Sequence, residues 1–191
     1  MEHVMKDGGD TQGVKYNKWA ILFCVVTMTF MSCIDGSIVN VALPKISYDL
    51  NKPILDTQWI VTTYLMVISA LVLLCGRIGD IKGKCKVFKV GVLIFTIGSF
   101  FSGVSKTLSL LIVSRAIQGV GGACAMATGM GIITAFFNEK ERGKAMGLSA
   151  SAVAMGVMVG PALGGILVSI RWDLIFWINV PIGIIAFLLS M

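Results

Sequence analysis

Residues 147–165 read GLSASAVAMGVMVGPALGG, a stretch without a single charge. Gly156, Gly160 and Gly164 recur four apart, and Pro161 sits beside Gly160. On a helix four residues advance about 400°, so the three glycines run along one slowly drifting face. A face without side chains lets a second backbone come close. In water each such glycine costs about 1 kcal/mol against alanine. In lipid, stripes of small residues are how helices pack. Pro161 lacks an N–H and bends the helix unless a neighbour satisfies the freed carbonyl. The stretch therefore reads as a membrane helix made to press on a partner.

The rest of the chain agrees. Of 191 residues, 56% are hydrophobic and 14% charged, whereas soluble domains carry about 25% charged residues. This composition specifies an integral membrane protein. The five cysteines (Cys24, Cys33, Cys75, Cys85, Cys124) lie in or beside apolar segments, none in a C-x-x-C pair, and His3 is the only histidine. That pattern disfavours zinc and disulfide frameworks and fits small buried hydrophobes. Lysines precede the first apolar run as in a signal peptide. The run is too long for one and has no A-x-A site, so it reads as a retained first helix.

Residues 1–18 form a polar, glycine-containing tail. Apolar spans follow at about 19–43, 57–76, 87–105, 108–136, 144–168 and 174–191. With about 20 residues needed to cross a bilayer, six helices are expected. Lys6, Lys15 and Lys18 in the tail, five basic residues around the second connection and three around the fourth make eleven on one side. Lys45, Lys52, Lys106 and Arg171 make four on the other. The excess puts both termini in the cytoplasm.

Two ionisable residues fall inside spans, Asp35 in the first and Arg115 in the fourth. Intramembrane charges are expensive and mark functional sites by default. If the first helix ends near Leu43 and the fourth starts near Leu108, both lie about 10–12 Å below the outer surface. They can then pair if their helices are neighbours, with Gln118 one turn from Arg115. An ion pair favours a charged carboxylate, and separating the partners favours its protonation. That alternation is a basis for proton coupling, with a cationic substrate competing for the same carboxylate. The plainer reading is a static pair that fixes helix packing. The aromatics Trp59, Tyr64, Trp172, Phe176 and Trp177 fall mostly near span ends, as interface anchors do.

Four stretches together resemble the Major Facilitator Superfamily, specifically its drug:proton antiporter branch with fourteen spans. In the stretch quoted first, Gly147, Gly156, Gly160, Pro161, Gly164 and Gly165 match the antiporter motif. GRIGDIKGK at 76–84 is similar to the cytoplasmic loop signature G-x-L-x-D-R-x-G-R-[RK], fitting at Gly76, Asp80, Gly83 and Lys84, with Ile81 and Cys85 where basic residues are usual. RAIQGVGG at 115–122 resembles the R-x-x-Q-G-x-G motif, and DGSIVNVALP at 35–44 the D-x-T-x-V-N-x-A-L-P stretch of the first helix. QW at 58–59 and INVPIG at 178–183 add to the likeness, and Asp173 stands where the branch commonly has arginine.

The resemblance implies an all-α fold: six transmembrane helices, one half of a facilitator built of two three-helix inverted repeats, at about 19–105 and 106–191. It also implies cell-membrane localisation and proton-driven efflux of lipophilic or cationic drugs. Asp35, Arg115 and Gln118 would couple protons. Residues 76–84 would form a gating latch whose Asp80 faces a helix N-terminus or an arginine of the opposite half. The 147–165 helix would pack on the opposite bundle. Partners are the bilayer, protons, a small-molecule substrate, and a missing C-terminal half or a second copy. Three forms are open: a piece of an antiporter, a homodimerising half-transporter, or a non-transporting subunit that binds partners or lipid.

Enzyme chemistry is not expected. There is no G-x-x-x-x-G-K-[ST] loop, no nucleophile–base constellation, no metal cluster and no cofactor signature. The net charge of +6 is spread over topology-setting loops, which disfavours nucleic-acid binding.

Overall fold

A computed structural model describes residues 18–190. They form six helical segments: α1 Lys18–Asp49, α2 Ile54–Lys82, α3 Lys84–Val104, α4 Leu108–Phe136, α5 Glu139–Ile170 and α6 Leu174–Ser190. Regular helix is interrupted at Gln58 in α2 and at Ile178 in α6. The first five are long and apolar enough to cross a membrane; α6 is apolar but shorter. Short connections make successive helices antiparallel. Residues 1–17, most of the expected tail, and Met191 lie outside the described residues.

The helices outrun the apolar spans read from the sequence. α1 continues past Pro44 to Asp49 rather than ending near Leu43, because Ile46 is fully buried and holds the extra turn against the bundle. α2 reaches Lys82 and α5 begins at Glu139, since polar residues at a span's edge stay helical while their heads reach water. α2 passes into α3 through Gly83 alone, at φ +96° and ψ 123°, a conformation that costs a residue with a Cβ dearly. α5 starts with Glu139 and Glu141 in its first turn, where the helix dipole favours acids. Lys18 at the start of α1 holds Glu141 at 2.7 Å.

α4 lies in the middle, against α2 and α3, while α1 lies on α5 and α3 on α6. Two apolar cores result. One, toward the Gly83 end, gathers Leu22, Met28, Met31, Phe88, Phe95, Ile132 and Phe137. The other, toward the opposite end, gathers Ile38, Ile46, Ile60, Leu111, Ile175 and Phe176. Along α1, Asp35 falls between Met31 of the first and Ile38 of the second. Only 22% and 17% of the most apolar stretches of α2 and α5 are buried, against 50% or more in α1, α3 and α4.

The partner of the glycine stripe is inside this bundle. A Cβ at Gly156 would come within 2.8 Å of Cys33 Cβ, one at Gly164 within 3.0 Å of Ile38 Cγ1, and one at Gly160 would collide with the Ser37 hydroxyl. The stripe expected to meet an opposite bundle therefore meets α1, because α1 and α5 cross where neither has room for side chains. Gly147 and Gly165 differ: nothing lies within 4 Å of a Cβ built there. They belong to a second stripe of Gly147, Ser151, Ala154, Met158, Pro161 and Gly165, all exposed. α5 thus carries one narrow packed face and a broad exposed one.

Candidate functional site: a buried carboxylate–guanidinium network

Between the two apolar cores lies a polar layer. Asp35 sits near the middle of α1 and Arg115 about two turns into α4. Arg115 Nη1 donates to Asp35 Oδ2 at 2.5 Å and to Gln118 Oε1 at 2.8 Å. Gln118 Nε2 returns to Asp35 Oδ1 at 3.0 Å. Asp35, Arg115 and Gln118 are all fully buried. The expected pairing of Asp35, Arg115 and Gln118 is thus present, although α1 ends six residues later than the depth estimate assumed.

Two further helices enter the layer. Asn179 of α6 donates from Nδ2 to Asp35 Oδ1 at 2.8 Å, and the same nitrogen lies 3.2 Å from Ser99 Oγ of α3. Ser99 in turn donates to the Phe176 carbonyl at 2.9 Å. Arg115 Nε donates to the Ile60 carbonyl of α2 at 3.3 Å. The guanidinium carbon lies 4.1 Å from the centre of the Tyr64 ring and 5.7 Å from that of Phe176. Tyr64 and Phe176 are therefore not span-end anchors but walls of the charge, where a desolvated cation gains from an aromatic face. Five of the six helices contribute to one cluster, and α5 does not.

Local packing fixes the cluster's geometry. α3 presses on the backbone of Gln118 because Gly98 has no side chain; a Cβ there would come within 2.6 Å of Gln118 N. The arginine's donors are not all used. Arg115 Nη2 is buried with no hydrogen-bond partner among the described residues. Chemically the layer can hold a carboxylate in its charged form with three donors. It can also hold the guanidinium if that carboxylate becomes neutral, through Gln118, Ile60 and the Tyr64 face.

The other motif residues lie at the ends. Asp80 and Lys84 flank Gly83, with Lys84 Nζ 3.4 Å from Asp80 Oδ1 and both side chains well exposed. An exposed pair of this kind contributes only a few tenths of a kcal/mol. Asp80 thus lies beside the first residue of α3 with its carboxylate half-exposed. Gly76 and Gly79 face α4, where a Cβ at Gly79 would come within 2.7 Å of Thr128 Cγ2. Asp173, standing where an arginine was expected, takes both Arg171 Nε and Nη2, at 3.0 and 2.7 Å.

Asn179, Ser99, Tyr64 and Phe176 were not singled out from the sequence as parts of this site. Asn179 stands in the INVPIG stretch, and an amide in an apolar helix was the one signal available for it.

Comparison with known proteins gives a consistent picture. Residues 25–191 match the family model described as Major Facilitator Superfamily. The chain is 44% identical over 175 residues to the riboflavin transporter RibZ of Clostridioides difficile (strain 630), covering 91% of this chain and 38% of that protein. It is 33% identical over 176 residues to the multidrug transporter protein MdtP of Bacillus subtilis (strain 168), covering 92% and 32%. It is 32% identical over 175 residues to the tetracenomycin C resistance and export protein of Streptomyces glaucescens, covering 91% and 32%. The chain spans about a third of the length of these relatives.

Proposed function

The chain belongs to the Major Facilitator Superfamily, and on that premise we propose that it forms one six-helix half of a proton-coupled exporter of lipophilic or cationic compounds. The observation that carries this reading is the fully buried Asp35–Arg115–Gln118 cluster. A static packing device would not need a carboxylate and a guanidinium, because removing both charges from a dry core is often neutral or stabilising. A coupling device needs a carboxylate whose protonation the surroundings tolerate. Here the arginine keeps the Gln118 and Ile60 oxygens and the Tyr64 face when Asp35 is neutral. Taking up a proton therefore does not strand a bare cation. The cycle is protonation of Asp35 with release of Arg115, then deprotonation with re-pairing as the bundle rocks against its counterpart.

The contact pattern supports two three-helix repeats at 19–105 and 106–191: α1 lies on α5 as α4 lies on α2. The exposed faces of α2 and α5 support a complementary bundle, or a second copy, as the covering partner. An open, shallow face of α2, lined by Thr62, Leu65, Met66, Ser69 and Ala70, is the wall offered to substrate. Tyr64, on the same helix, turns the other way onto the arginine. The substrate wall and the proton site thus lie back to back on α2.

A second reading of the substrate is favoured by the identity to a protein named as a riboflavin transporter: a flat, uncharged flavin in place of a cationic drug. One experiment addresses both. A chain carrying this bundle and its complementary half is placed in vesicles with an imposed pH gradient, and flux of a planar cationic dye and of riboflavin is followed. Asp35→Asn should abolish gradient-driven flux while the amount of inserted protein is unchanged. Wild-type flux in that variant would refute the coupling role, and flux of riboflavin alone would select the flavin.

A further inference from the structure

Cys75 on α2 and Cys124 on α4 bring their sulfurs to 2.8 Å across the helix boundary. Both are free thiols. Their meeting is set by backbone approach rather than by a mobile side chain. Just beyond Cys75, Gly79 lets α2 close on Thr128, and a Cβ built at Gly76 would lie 3.9 Å from Ala127 Cβ. A disulfide needs sulfurs about 2.05 Å apart, so closure takes less than about 1 Å of movement. Cys75 is 5% exposed and Cys124 is half-buried, and both sit in helices long and apolar enough to cross a membrane, so a lipid-soluble reagent reaches the pair more readily than a charged one.

We propose that Cys75 and Cys124 form a redox-active dithiol inside the bundle. It closes to a disulfide joining α2 to α4 when met by a lipid-soluble two-electron oxidant of the quinone class. In that step two S–H bonds break and one S–S bond forms. The quinone takes both electrons and both protons and leaves as the hydroquinone. A small dithiol reverses the step by thiol–disulfide exchange. The bond lies at the root of the 76–84 connection and ties the start of that segment to α4. It does not depend on what the bundle transports.

The test is a count of thiols in the full chain in its own membrane. Membranes are treated with duroquinone, whose ring has no free position for thiol addition. The protein is then denatured, alkylated with N-ethylmaleimide and weighed intact. Two fewer maleimide additions than in the reduced control are expected, restored by dithiothreitol, with a digest that links the Cys75 and Cys124 peptides. Alkylation of all five cysteines after duroquinone overturns the proposal. Cys75→Ser and Cys124→Ser should each keep every remaining cysteine alkylated. A variant that still loses two additions assigns the bond to other cysteines and overturns it equally. The wild-type count stands whether or not either variant folds.

Discussion

At the scale of single residues, Arg115 is the pivot. Its Nε and guanidinium face meet α2 at Ile60 and Tyr64, and its Nη1 meets α1 at Asp35. Lysine is one point charge on a flexible stem and cannot fork or stack in this way. Arg115→Lys should keep the ion pair with Asp35 but lose the Ile60 bond and the Tyr64 stack, costing about 1–3 kcal/mol. Arg115→Ala leaves Asp35 buried with an unpaired charge and should cost about 3–5 kcal/mol. Unfolding of detergent-solubilised protein, followed by circular dichroism, measures both; equal stability of the lysine variant and the wild type would mean the fork is idle. Asp35 and Arg115 were legible in the sequence because an ion in an apolar span has few reasons to be there, and Gln118 because it lies one turn from Arg115. Ser99 and Tyr64 were not, since a hydroxyl or phenol is common in membrane helices and only convergence in space distinguishes these two. Asn179 is intermediate: its amide is conspicuous, but nothing in the sequence says that Asp35 is its acceptor.

At the scale of elements, α5 repeats one chemistry on two faces. Its inward stripe takes α1 at Cys33, Ser37 and Ile38, and its outward stripe is open at Gly147 and Gly165. The two sides predict opposite outcomes. Gly160→Leu should drive a side chain into Ser37 and lose about 1–3 kcal/mol by overpacking. Gly165→Leu should leave the isolated bundle unchanged or slightly firmer, because glycine is the poorer helix former. Thermal unfolding of the two variants in one detergent compares them, and a similar loss in both would mean that the outward stripe is also packed. The sequence showed that this helix needs a close partner. It did not show which, because the 147–165 motif interleaves both stripes and spacing alone does not assign them. The end of α1 was misplaced for a related reason. The apolar run stops at Leu43, yet burial of Ile46 holds the next turn in place and outweighs the one hydrogen bond that Pro44 removes.

At the scale of the whole molecule, the helix ends sort by charge. The Gly83 joint, the start of α1 and the start of α5 share one end, which carries Lys18, Lys82, Lys84, Arg142 and Lys144. The opposite end gathers Lys45, Lys106 and Arg171 around a shallow groove with Asp49 and Asp173. The richer end should face the cytoplasm. In intact cells a membrane-impermeant maleimide should label Lys45→Cys and spare Lys82→Cys, read in a background without native cysteines. The reverse labelling would invert the assigned orientation. The polar layer also bears on how such a bundle is made. The partners of Asp35 come from 80, 83 and 144 residues later in the chain. At about 5–20 residues per second of synthesis, Arg115 emerges on the order of ten seconds after Asp35. In that interval the first helix carries an acid whose counter-ion does not yet exist. The polar layer of this bundle therefore closes only after its fourth and sixth helices have arrived.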